Sequence, residues 1–277
     1  MTISRKTWNK YISDLRKIND AAAKRVIDFM KDYSDINNSV ARKEIIEFSY
    51  AIAEEYGIAS AAISAEMYDA IATLQKVNVP AAIPAETATY SDVAKTVNGI
   101  LKTSTNPELV GQGIGRLVKL TGTDTILSNA ARDSDTSPMM APRYRASRRA
   151  VKMRNNGAQV AWIPSGDTCP YCIMLAGAGW RKQTNWGAQQ HTEHVHANCD
   201  CTYMVRFNND LDVAGYDPNE YEEMYKSADG GNMEERLNAM RREAYAENKE
   251  KINEQKRSAY AKRKERELSE AEEIDVG

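Results

Sequence analysis

Hydrophobic positions recur at three- and four-residue steps through most of the first half of the chain. Trp8, Tyr11, Leu15, Ile18, Ala22, Val26 and Phe29 share one helical face, as an amphipathic segment with 3.6 residues per turn requires. A second run gathers Ile45, Phe48, Ile52 and Tyr56, and a third gathers Ile63, Met67, Ala70, Ile71, Leu74 and Val77. Three apolar stripes of similar width bury themselves most simply against one another, which predicts a helical bundle. Pro80 and Pro84 interrupt the pattern, and a shorter helix is expected around Val93, Val97, Ile100 and Leu101. From Pro107 the helical period resumes through Val110, Ile114, Leu117, Val118 and Ile126. Gly111, Gly113, Gly115 and Gly122 each cost about 1 kcal/mol relative to Ala inside a helix. That predicts close backbone packing or a break near Thr121.

The second half changes character. Pro138 and Pro142 mark a connection before a basic segment holding Arg143, Arg145, Arg148, Arg149, Lys152 and Arg154. It reads as a solvated helix face or as a patch that meets phosphate. Gln159 to Ile163 alternates, with Val160 and Trp162 on one side, and ends at Pro164, while Thr202 to Phe207 is rich in β-formers. Two strands are expected there. From about Asn219 charge dominates. Arg241 to Arg266 holds ten basic and five acidic residues, few aliphatic ones and no Gly or Pro, which predicts a long exposed helix. RREAYAENKE at 241–250 partly recurs as KRSAYAKRKE at 256–265, bringing Tyr245 and Tyr260 nearly into line.

Over all 277 residues, 37 basic and 39 acidic side chains leave a net charge of −2, which argues against strong global steering toward nucleic acid or membranes and leaves only local patches. No window offers the roughly 18 apolar residues of a membrane helix, so a soluble protein is expected. The first twenty residues, MTISRKTWNKYISDLRKIND, carry charge throughout and lack the apolar stretch of a secretory signal. A reducing cytosol is therefore expected. Cysteines in such a compartment serve as metal ligands, redox catalysts or core thiols before they serve as structural disulfides.

All four cysteines and all three histidines fall between Cys169 and Cys201. Cys169 and Cys172 form a C-x2-C pair. His191, His194, His196, Cys199 and Cys201 follow, the last three spaced as H-x2-C-x-C. Two thiolates two residues apart grip one ion from a tight turn, and a second cluster returning some 20 to 30 residues later completes a tetrahedron. One structural Zn2+ is therefore expected. Cys169 and Cys172 are its firmest ligands. His196 with either or both of Cys199 and Cys201 completes the site, or both late cysteines make it all-thiolate. In a strand those two cysteines point the same way, so spacing leaves both sets open. His191 and His194 read as loop histidines. CPYC also fits a thiol-redox motif, with the first thiol activated at a helix N-terminus inside a βαβ unit, although that reading leaves H-x2-C-x-C without a role. A catalytic zinc would keep an open position beside a carboxylate; Glu193 and Asp200 could be nominated, but nothing in their placement singles them out.

The runs WIPSGDTCPYCIMLAGAGW and HANCDCTYMVRF resemble the cysteine-rich module of MuF-like minor head proteins of tailed bacteriophages. In one branch of that family a T-C-x-x-C-x-M-L-A block is followed some 25 residues later by H-x-x-C-D-C and a short strand. Cys169, Cys172, His196, Cys199 and Cys201 fall on those positions. FSYAIAEEYGIASAAISAEMYDA and GRLVKLTGTDTILSNAARD are similar to the family's helical N-terminal and middle regions, so the resemblance spans about Arg42 to Phe207. TYMVRF departs from relatives that place a proline soon after the strand, and the charged tail has no counterpart in the resemblance. The resemblance implies a protein inside the phage head near the portal, engaged in head assembly and DNA delivery.

The expected architecture is mainly α. A helical domain occupies residues 1–142, a small β-containing zinc-stapled module with its own core occupies 143–215, and a long charged C-terminal helix lies within 216–277. The expected role is structural, with the portal or major capsid protein as partner, non-specific genomic DNA contacted through Arg241–Arg266, and no membrane. Its expected location is the virion interior, with the host cytoplasm during assembly. No catalytic residue is nominated. The alternative is a metal-dependent hydrolase, either a capsid maturation protease or a nuclease, and less favoured is a CPYC thiol oxidoreductase.

Overall fold

The first apolar stripe becomes helix α1 (Arg5–Met30), where Ser4 accepts the Thr7 N–H at 3.1 Å as N-cap and Trp8, Ile12, Ala22, Val26 and Met30 are buried. The computed structural model describes residues 1–33, 35–36, 38–134, 157–164, 168–182 and 201–246, with 249, 253–254 and 257 beyond. The second and third stripes form one continuous helix, α2 (Ser39–Leu74). Nothing between Tyr56 and Ile63 stops a helix, because neither Pro nor a paired cap intervenes. Its buried face also differs from the expected one. Ser49, Ser60, Ser64 and Tyr68 are buried, whereas Leu74 is exposed and Ile63 and Met67 are half-buried. Small residues win those positions because α2 meets α1, α3 and α4 at once.

Helix α3 (Tyr90–Leu101) forms as expected behind a capping box in which Thr89 and Asp92 satisfy each other's backbone N–H groups, and it buries Val93, Val97 and Leu101. Helix α4 (Pro107–Asp133) begins with Asn106 as N-cap and Pro107 in its first turn and runs unbroken past Thr121. Its glycines therefore serve close packing. A Cβ at Gly111 would lie 2.6 Å from both the Ala23 carbonyl oxygen and Ile27 Cγ1, and one at Gly122 would lie 2.5 Å from Ser60 Oγ.

Between α2 and α3 the chain runs extended along α4. Polar side chains take the place of a strand partner: Ala85 N–H donates to Thr125 Oγ1 at 3.0 Å, and Ile83 exchanges two hydrogen bonds with the Asn129 amide at 2.9 and 2.8 Å. Arg132 adds a bond to the Pro80 carbonyl at 2.8 Å and pairs with buried Asp133 at 2.7 Å, which also accepts from Tyr68 Oη at 2.9 Å. These side chains provide the acceptors and donors that an isolated extended segment lacks.

The two expected strands appear as β2 (Gln159–Ile163) and β4 (Thr202–Arg206), antiparallel with Trp162 opposite Tyr203, and β3 (Arg181–Lys182) extends the sheet in the order β3-β2-β4. Helix α5 (Pro170–Gly177) packs against β2. The N-terminal β1 (Thr2–Ile3) runs parallel to β5 (Asp212–Val213). Helix α6 (Pro218–Ser227) packs on α5, and α7 (233–246) follows.

One expectation changes here. The sheet does not rest on its own core: Trp8, Ile12, Tyr68, Ile126 and Leu127 from the helices share one hydrophobic cluster with Val160, Trp162, Met204 and Phe207. Gln75, capping α2, accepts the Phe207 N–H at 2.7 Å and stitches the two together. The charged helical tail expected over 216–277 opens with two helices, and of the long helix expected at Arg241–Arg266 the described residues to Ala246 continue α7. Gly230, at φ +141, separates α6 from α7, and Leu237 and Met240 of α7 are buried. That apolar pair lies just before the stretch 241–266 to which the charge count applies. The basic segment Arg143–Arg154 and the expected boundary near residue 142 lie outside the described residues, as does most of the chain beyond Ala246. A second cluster, around Val26, Ile45, Ile52, Val97 and Ile114, holds the far end of the four long helices.

Candidate metal centre

Helix α5 begins at the C-x2-C pair because Pro170 supplies a φ suited to the first helical position and lacks the N–H that would otherwise be orphaned. Cys169 takes the N-cap, and its Sγ accepts the Cys172 N–H at 3.4 Å. An N–H aimed at sulfur, together with the partial positive charge of a helix N-terminus, favours the thiolate. Cys172 lies one turn on and is 2 % exposed, while Cys169 is half-buried. Cys201, also 2 % exposed, immediately precedes β4, whose register sets Thr202 opposite Ile163.

Aromatic rings surround these thiols. Burial raises the Tyr171 hydroxyl above its ordinary pKa, and the neighbouring Cys172 and Cys169 add to the effect. Tyr203 is raised further, again by burial first, with Tyr171 and Cys172 beside it. Tyr221 of α6 is raised by burial, offset by Arg5 and reinforced by Cys201. Sequence reading missed this tyrosine shell. Its one legible trace was the aromatic inside CPYC; Tyr203 and Tyr221 arrive only through strand pairing and through the packing of α6 on α5.

The structure brings Cys169 and Cys172 together on one helical turn. His191, His194, His196 and Cys199 lie outside the described residues, and so do Glu193 and Asp200. Among the described residues no group of three or more Cys, His, Asp or Glu is gathered that could hold an ion, and the described cysteines are not joined by disulfides. The sheet also bears on the redox reading. β3 returns antiparallel to β2 after α5, so β2, α5 and β3 do not form a parallel βαβ unit.

A family model described as VG15 protein matches residues 2–228, which takes in every element from β1 to the end of α6. No curated protein matches, and no solved structure does.

Proposed function

The chain belongs to the VG15 protein family, which marks it as a phage-encoded protein, and from that premise we propose that it is a structural minor head protein of a tailed phage. The family match carries the reading, because it covers the helical body and the cysteine module as one unit. The likeness of T-C-x-x-C-x-M-L-A and H-x-x-C-D-C to MuF-like proteins supports the finer assignment: a protein inside the head near the portal, partnered by portal or major capsid protein, without turnover of its own. The described helices include none long and apolar enough to cross a membrane.

In the same reading a single Zn2+ staples the module. Cys169 and Cys172 would hold it, completed by His196 with either or both of Cys199 and Cys201, or by the two late cysteines alone. Of the described residues, Cys169 and Cys172 fit such a group as one half of its ligands, with no third ligand gathered beside them among the described residues. Cys172 is buried one turn into α5, and Cys169 receives an N–H at the helix N-terminus, which favours the thiolate a metal requires. When bound, the ion would tie the start of α5 to the start of β4. The residues' own contribution is to present thiolates from a rigid turn and to exclude water with Tyr171 and Tyr203.

Two measurements test the proposal. Mass spectrometry of purified virions should find the chain, protected from external protease until the heads are opened; its absence from virions would refute a head protein. Metal analysis of chelator-free protein should find about one zinc per chain. Zinc-free protein with Cys169 and Cys172 oxidised to each other in reducing buffer would favour the thiol-redox alternative, and zinc-dependent cleavage of DNA or capsid protein would favour the hydrolase.

A further inference from the structure

A cavity of about 520 Å³ lies between one face of the three-stranded sheet, the C-terminal half of α5, and helices α6 and α7. That volume falls within the roughly 300–1,000 Å³ typical of small-molecule sites. Strand register explains its floor. Val160 and Trp162 share a face of β2, and Trp162 stands opposite Tyr203, so all three line the cavity with Met174 and Leu175 of α5 as its wall. The Trp162 and Tyr203 rings meet edge to face at 4.7 Å.

The floor is apolar and closely packed, with Trp162 only 2 % exposed. The rim, in contrast, is cationic. Arg181 comes from β3 and Arg236 from α7, and among the described residues the one lining carboxylate, Glu222, pairs with Lys226 of α6 at 2.8 Å. Arg181 is anchored through Nε to the Ala178 carbonyl at 2.8 Å, and Arg236 through Nε to the Gly230 carbonyl at 3.1 Å. Both guanidinium groups are thus positioned in advance, which lowers the ordering cost of binding.

We propose that this cavity binds a small organic anion, with an apolar body against the Trp162 and Tyr203 floor and a phosphate or carboxylate held between Arg181 and Arg236. The site needs neither the metal nor a place in the virion, so its test stands apart from those above.

Isothermal titration of the full chain with 1-naphthyl phosphate, 1-naphthoate and neutral 1-naphthol reads the proposal directly. One equivalent of at least one anion should bind, at least tenfold more tightly than naphthol, and the tighter anion identifies the head group. The double variant Arg181→Ser/Arg236→Ser should lose at least tenfold in anion affinity and leave naphthol unchanged. Ala178→Trp, which fills the cavity, should abolish binding. Should that variant misfold, the rim pair carries the test. Absence of binding by both anions, equal affinity for anions and naphthol, or anion affinity unmoved by the rim substitutions would overturn the proposal.

Discussion

At the scale of single residues the chain separates positions where a side chain is tolerated from positions where backbone must touch backbone. Gly99 and Gly111 both sit in helices, yet a Cβ at Gly99 meets nothing within 4 Å, whereas one at Gly111 would press on the Ala23 carbonyl. Gly99→Ala should therefore stabilise by about 0.5–1 kcal/mol through helix propensity. Gly111→Ala should destabilise by about 1–3 kcal/mol through overpacking. Urea denaturation of the two variants checks the contrast, and equal signs would refute it. Asp124 of α4 tells of burial in another way, because desolvation pushes its carboxyl up to about 6. The native state then holds a proton that the unfolded chain, titrating near 3.9, has already released. This contribution is fully present below about pH 4 and is lost as pH rises through 6. Asp124→Asn should accordingly be more stable than the parent at pH 7.5, by about 2–3 kcal/mol, and level with it near pH 4. Melting curves across that range decide the matter; a gain independent of pH would contradict the assignment.

At the scale of elements, periodicity located helices better than it located their ends or their buried faces. α3 and α4 were legible because Thr89, Asn106 and Pro107 announce their starts. α2 was read as two stripes because its interior mixes serines and glycine with aliphatics, so no single apolar face marks its whole length. The last described helix, α7, carries the start of the basic stretch, and its buried Leu237 and Met240 make it part of the body. The proposed DNA contact should therefore be tested with a chain ending at Ala246, which keeps those anchors. Arg241–Arg266 has a net charge of 10 − 5 = +5. Against random duplex DNA, that truncation should weaken binding and flatten the dependence of affinity on salt, as lost phosphate contacts require. Identical affinity and slope would remove DNA from the tail.

For the molecule as a whole, the decisive feature is one core serving both helices and sheet. β1 pairs with β5, Met1 donates its terminal amine to the Asp210 carbonyl, and Arg5 donates to the Pro164 carbonyl at 2.9 Å. The first residues of the chain are thus fastened to residues more than 150 positions away. Damage to the cysteine module should consequently be felt everywhere. Cys172→Ala should lower global stability by about 1–3 kcal/mol in a single cooperative transition, with tryptophan fluorescence and far-UV circular dichroism melting together. An early fluorescence transition, with helix content intact, would mean that the module unfolds alone.

The sequence by itself determined the mainly helical class, the positions of β2 and β4, and the confinement of every cysteine and histidine to one window, because period, capping residues and ligand spacing are local properties of the chain. Only the tertiary structure decided which faces are buried, that Trp8 and Tyr68 share a core with Trp162 and Phe207, and that α6 and α7 close a cavity over the sheet. Those outcomes depend on contacts between residues far apart in the chain. A Gly in a helix or a serine on an apolar face acquires its meaning from the partner that folding brings to it.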